Sequence, residues 1–242
     1  MYLRSYLSPL VVALVLVVFS APARSEDYVG SNIDSRVLLG LKSNADSIGS
    51  LMPDGWAPIP FPSGPLKGSN LLLVLIDGVL EMDAEGKPLD PSSRRAAVFV
   101  GLGKKEDSVR MYVLRILTTV PERNPYGVAE SAEIERTKSL GGPANGARLS
   151  SDEWRITTAQ GGELVFTLNY TTGKRGWTPG ELFPYSASDP DFSRIYRYDQ
   201  MVDLVVSTAL GKPASGDFNL TNSASELADI FDGNHEITAV MD

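Results

Sequence analysis

The chain has 242 residues, no cysteine, one histidine and a formal net charge of −8. Without cysteine there are no disulfides, no lipid-anchored cysteine and no thiolate metal sites, and the lone His235, in a turn-like Asp-Gly-Asn-His-Glu run, supports neither a histidine metal set nor a Ser/His/Asp triad. The acidic balance speaks against nucleic acid and anionic lipid, which both demand clustered Lys/Arg; the pairs Arg94-Arg95 and Lys104-Lys105 are too short to form such a patch.

Residues 1–23 read as a secretory signal: Arg4 near the start, an apolar run from Leu10 to Phe19, then Ala21-Pro22-Ala23 at the cleavage position. That run is about ten residues, half of the ~20 that a membrane-spanning helix needs. The expectation is an exported protein, periplasmic or secreted, with no membrane span once the signal is removed. Removing residues 1–23 takes away one positive charge, Arg4, so the rest of the chain carries −8 − 1 = −9. It is expected to form a single domain over 24–242, long enough to be held by its own core.

Val37 to Leu41 reads as an apolar strand. Ser43 or Asn44 then caps a short helix that turns Ile48 and Leu51 inward, and Met52-Pro53-Asp54-Gly55-Trp56 ends it. Five prolines between Pro53 and Pro65 make a rigid extended loop. Leu71–Asp77 is a continuous apolar run, the pattern of a strand buried on both faces, and Glu81 to Pro91 reads as a polar turn segment. Ala96–Leu102 and Val109–Thr118 form an antiparallel pair, and Glu153–Ala159 and Glu163–Thr171 a hairpin across Gln160-Gly161-Gly162. In the second arm Leu164, Phe166, Leu168 and Tyr170 alternate with more polar residues, so one face is apolar. Trp154 and Trp177 bracket this hairpin and read as plugs of a barrel end.

Ile195–Ser207 and Gly216–Thr221 add strands. Ser223-Ala224-Ser225-Glu226 is a capping-box pattern for a helix through Phe231, and Glu236–Met241 closes as a strand. The fold class expected is mostly β (α+β): an antiparallel, cone-like β-barrel with a few short peripheral helices and an internal pocket.

One residue carries most of the chemistry. Lys138, in Glu135-Arg136-Thr137-Lys138-Ser139-Leu140-Gly141, stands at the end of an extended run before a Gly/Pro turn. A lysine there is either a solvated surface cation or an amine kept neutral beside an apolar pocket, able to condense with a carbonyl. Arg136 shares a face with Lys138 in an extended strand, where it either lends a second cation or pairs with Glu133 or Glu135 at the surface.

The run Thr137-Lys138-Ser139-Leu140-Gly141, with the hairpin that follows it, resembles the acetoacetate decarboxylase family, which carries Pro-Lys-Lys-Leu-Gly before a two-stranded segment of this pattern. Leu51-Met52-Pro53-Asp54-Gly55-Trp56 resembles that family's Leu-Pro-Glu-Gly motif. Gly216-Asp217-Phe218-Asn219-Leu220 with Glu226-Leu227-Ala228-Asp229-Ile230 resembles its closing segment, so the likeness spans roughly residues 35–242. It implies a cone-like barrel around a pocket, with Lys138 at the place of the Schiff-base lysine and Ser139 at the place of the second, activating lysine. It also implies Arg36 and Glu85 as companions of Lys138.

No cofactor or metal is implied. The partner expected is a small organic acid or other small carbonyl compound, and a homo-oligomer is allowed. Three functions are open at this point: a Schiff-base lyase acting on a small keto acid, a non-catalytic small-molecule-binding barrel that has lost decarboxylation, and a structural domain with a filled barrel.

Overall fold

The computed structural model describes residues 26–242, so the signal segment read at 1–23 lies outside the described residues. The strands in chain order are β1 (Ser31–Lys42), β2 (Ala57–Ile59), β3 (Leu71–Met82), β4 (Arg94–Lys105), β5 (Ser108–Thr118), β6 (Ala129–Gly141) and β7 (Leu149–Thr158). They continue as β8 (Glu163–Thr171), β9 (Gly176–Leu182), β10 (Tyr185–Ser186), β11 (Tyr196–Val202), β12 (Leu204–Ser207), β13 (Gly216–Asn222) and β14 (Glu236–Met241). One short α-helix, α1 (Ala45–Ser50), follows β1. It is capped by Asn44, whose side chain accepts from the backbone N–H groups of Asp46 and Ser47, and it buries Ile48.

Twelve strands share one sheet in the order β12-β14-β1-β3-β4-β5-β6-β7-β8-β13, with β10 added on β5 and β2 on β4. Neighbours along this path are antiparallel except β5 and β6, which run parallel over Ile116–Thr118 and Ala129–Ser131. β9 and β11 form a separate two-stranded ribbon. The mostly-β class holds, and the closed barrel is corrected. Edge strands β12 and β13 share no ladder among the described residues; the Ser215 N–H donates to the Val205 carbonyl across the gap (3.2 Å). The sheet is also mixed, because the connection from β5 leads back to a parallel neighbour through a short turn at Pro121–Arg123.

Alternation sorts the side chains. Val37, Leu39 and Leu41 of β1, Leu71, Leu73 and Leu75 of β3, Phe99 of β4 and Leu164, Phe166 and Leu168 of β8 are fully buried in one cluster on the concave face. The opposite face of β3 and β4 carries Leu72, Val100 and Leu102, covered by Phe61, Ile59 and Leu66 from the proline-rich loop. Hence β3 reads as a continuous apolar run: it is covered on both sides. Trp154, Phe99 and Phe166 are likewise fully buried in the concave-face cluster.

Local corrections follow from packing. The segment from Glu81 is not wholly a turn: β3 continues to Met82, and Glu81 is buried, bonded to Arg94 and to Arg123 (3.3 Å). The helix expected through Phe231 shortens to one 3-10 turn at Ser225–Leu227, with Ala224 at its N-cap making no side-chain bond. The Ser223 hydroxyl, read as the cap, instead accepts from the Glu163 N–H of β8 (2.9 Å). Trp154 is core, whereas Trp177 is 67% exposed on the ribbon and plugs nothing.

Candidate functional site

β6 turns Ala132, Ile134, Arg136 and Lys138 toward the concave face, and the apolar character of the first two gives way to charge toward its open end. β7 does the same in reverse: Ile156 and Trp154 are buried apolar positions, and Asp152 and Ser150 continue their row. The register sets Arg136 opposite Trp154, Lys138 opposite Asp152, and Ser150 opposite Tyr170 of β8.

Two linked charge clusters result. Arg136, with a side chain only 3% exposed, grips Asp152 with two bonds (Nε to Oδ1 3.0 Å, Nη2 to Oδ2 2.6 Å) and reaches Asp77 of β3 with Nη1 (3.2 Å). Its guanidinium also stacks over the Trp154 ring at 4.5 Å. Burial works against the Arg136 charge, but the bonds to Asp152 and Asp77 outweigh it and push the guanidinium pKa up. Arg95 completes this side, donating to Asp77 (3.0 Å) and to the Ile134 carbonyl (3.2 Å).

The second cluster is centred on Lys138. Its Nζ lies 2.5 Å from Oδ1 of Asp242 and 3.6 Å from Oδ2 of Asp152, and its side chain is 32% exposed. The other Asp242 oxygen accepts from the Tyr170 hydroxyl (2.8 Å). Burial first, and then the Asp242 carboxylate, push the Tyr170 phenol pKa well above its usual range, so Tyr170 stays a donor. The Asp242 backbone is fixed by exchanging both backbone bonds with Asp203 (2.7 and 3.0 Å).

Of the residues singled out in the sequence, Lys138 stands in this cluster and Arg136 shares its face. Arg136 pairs with Asp152 and Asp77 rather than with Glu133 or Glu135. The structure does not bring Arg36 or Glu85 to Lys138. Arg36 alternates with the concave-face Val37 and pairs with Asp34 (2.7 Å) on the other side of the sheet. Glu85 sits in an exposed turn whose N–H groups bond the Asp83 carboxylate. Ser139 points to the face opposite Lys138 and lines a groove of about 360 Å³ with Ser150, Ser151, Asn169, Tyr170 and Thr171.

Asp77, Asp152 and Asp242 were not singled out in the sequence. The first two carried a signal: each is an aspartate in phase with buried apolar residues of its own strand, a place where a carboxylate needs a partner. Asp242 carried none, since its partners are 72 and 104 residues away.

No family model matches the sequence, and no curated protein matches it significantly. Solved structures do. The enduracididine biosynthesis enzyme MppR complexed with pyruvate superposes with a TM-score of 0.58 at 10% identity, over 91% of this chain and 88% of that one. The same enzyme with the condensation product of pyruvate and imidazole 4-carboxaldehyde gives 0.54 at 10% identity, over 86% and 81%. An acetoacetate decarboxylase-like enzyme from Sphingomonas wittichii RW1 gives 0.53 at 12% identity, over 90% and 88%. At such identities the likeness is one of architecture: the chain has an acetoacetate decarboxylase-like fold.

Proposed function

We propose that the protein performs Schiff-base chemistry on a small keto acid, with Lys138 as the nucleophile and Asp242 as its base. The run of contacts from Lys138 Nζ to Asp242 (2.5 Å) and on to Tyr170 (2.8 Å) carries this reading. An amine within hydrogen-bond reach of a base, itself oriented by a third group, is the arrangement nucleophilic catalysis requires. A fold neighbour that holds pyruvate supports a small keto acid as the ligand class. The leader at 1–23 would place the reaction outside the cytoplasm.

Asp242 takes a proton from the Lys138 ammonium, and the freed nitrogen bonds to the keto carbon while a proton moves from nitrogen to the carbonyl oxygen. The protonated Asp242 returns its proton to the resulting hydroxyl, water leaves, and a positively charged iminium remains. With a 3-keto acid, the electron pair of the bond to the carboxylate flows into that iminium and carbon dioxide departs. The enamine left behind takes a proton from water at carbon, and hydrolysis of the new iminium releases the ketone and Lys138. The water that protonates the enamine also supplies the hydroxide for that hydrolysis, so one water is lost and one is consumed. A solvent proton restores the Lys138 ammonium, and the sum is keto-acid anion and one proton to ketone and carbon dioxide, a carbon–carbon lyase reaction.

A second reading, a binding module without catalysis, is favoured by one observation. Asp152 sets a second carboxylate 3.6 Å from the amine, and Ser139 puts a hydroxyl on the far face where a second lysine would stand. Two anions beside one cation suit a fixed ion pair. Incubation with acetoacetate or pyruvate, borohydride reduction and peptide mapping separate the two. An adduct on Lys138, lost in Lys138→Ala, is expected for the lyase; acid binding with no adduct selects the binding module.

A further inference from the structure

The concave-face cations near Lys138 are already committed. Arg136 spends Nε and Nη2 on Asp152 and Nη1 on Asp77, and Arg95 is bonded to Asp77 and to a backbone carbonyl. A keto acid brings its own carboxylate, one or two bonds from the carbon that Lys138 attacks. That anion needs a donor on the same face, close to the amine, whose hydrogen-bonding capacity is still free.

Ser150 meets each requirement. It is 3% exposed, and its Oγ has no hydrogen-bond partner among the described residues. Buried polar groups are nearly always paired, so an orphaned hydroxyl calls for an explanation. It lies opposite Tyr170 and two residues from Asp152, the register partner of Lys138, which makes it a diagonal neighbour of the lysine. The Trp154 indole N–H is likewise unpaired, but Trp154 is fully buried beneath Arg136, deeper than a ligand bonded to Lys138 needs to go.

We propose that Ser150 is the substrate-holding hydroxyl of this site, donating a hydrogen bond to the carboxylate of the keto acid whose carbonyl Lys138 attacks. The assignment rests on the reading of Lys138 as a Schiff-base amine. It makes Ser150 a specificity residue that separates keto acids from carbonyl compounds lacking the acid group. It also accounts for a buried hydroxyl that contributes nothing to the empty fold.

The test compares wild type with Ser150→Ala, using acetoacetate and acetone as probes, with borohydride trapping on Lys138 and thermal unfolding without ligand. The expected result is a half-saturating acetoacetate concentration raised roughly tenfold, with the saturated trapping rate and the acetone response within about twofold of wild type. The ligand-free unfolding midpoint should stay level or rise, since the substitution removes an unpaired buried hydroxyl. An unchanged acetoacetate response, an equal loss for both probes, or a lowered midpoint overturns the role of Ser150 while leaving Lys138 in place. Failure of both probes to label wild-type Lys138 instead removes the Schiff-base reading itself, and the Ser150 assignment with it.

Discussion

Lys138 Nζ and Asp242 Oδ1 stand 2.5 Å apart although 104 residues separate them in sequence. The contact joins the open end of β6 to the residue that follows β14, and Tyr170 of β8 ties the same carboxylate from the other side. Asp242 is nearly as buried as the core, with a side chain 4% exposed, so its charge is compensated by these two partners rather than by water.

Replacing that carboxylate tests its role as a base. Asp242→Asn keeps the shape of the side chain and its contact with Tyr170 but cannot accept the lysine proton. Borohydride trapping on Lys138 should slow by roughly 10²–10⁴-fold, the usual contribution of a positioned base. Circular dichroism should show the fold retained. A trapping rate equal to wild type would take Asp242 out of the reaction.

The Arg136 cluster is expected to matter for stability. Arg136→Met leaves Asp152, whose side chain is fully buried, without its two strongest bonds. Removing one partner of a buried pair costs about 3–5 kcal/mol, which urea unfolding can measure. Adding Asp152→Asn to Arg136→Met should recover part of the loss, because the stranded charge is gone. Strictly additive losses would show that the pair does not act as a unit.

The buried phenols set an alkaline limit. Burial raises the pKa values of Tyr112, Tyr126 and Tyr170 in the folded chain above the ordinary value of about 10. Below that value both folded and unfolded chains keep these protons, and stability is unaffected by them. Above it only the unfolded chain gives them up, so stability falls as pH rises beyond about 10. Absorbance at alkaline pH should show these tyrosines ionising only together with unfolding. Tyr126→Phe should flatten the pH dependence; phenols that all titrate in the folded chain would contradict this.

The hairpin between β7 and β8 offers a matched pair of substitutions. Gly161 and Gly162 both have positive φ (89° and 82°), but a Cβ on Gly161 meets nothing within 4 Å, whereas on Gly162 it would lie 2.5 Å from the Ser223 carbonyl oxygen. Both alanine variants carry the left-handed strain, on the order of 1 kcal/mol. Gly162→Ala should lose measurably more in denaturant unfolding, because backbone has to move to admit it. Equal losses would show that the segment after β13 yields freely.

Much of the strand order could be read from periodicity and turn residues, because those signals are local. The alternation of Leu164, Phe166, Leu168 and Tyr170 does mark a concave face, and the unbroken run at Leu71 does mark a strand covered on both sides. Closure could not be read in this way: whether edge strands meet depends on sheet curvature accumulated over many strands. Within the candidate site, Lys138 was marked by its place at a strand end and by the family resemblance, and the face it shares with Arg136 followed from extended geometry. The partners Asp77, Asp152 and Asp242 depended on contacts between distant segments. Arg36 was lost by strand phase, since one residue along a strand reverses the face.

The parallel ladder between β5 and β6 spans only three residues on each strand, against ten for the antiparallel ladder between β6 and β7. It is the narrow neck of the sheet, and the ion pairs of Arg136 with Asp77 and of Lys138 with Asp242 reach across from one side of that neck to the other. The amine proposed as the nucleophile is therefore also a rivet. A protonated iminium keeps the positive charge of the lysine, so the rivet survives that stage of a turnover. Acylation of Lys138 would abolish the charge, and a covalent inhibitor of that kind would loosen the architecture as well as silence the amine.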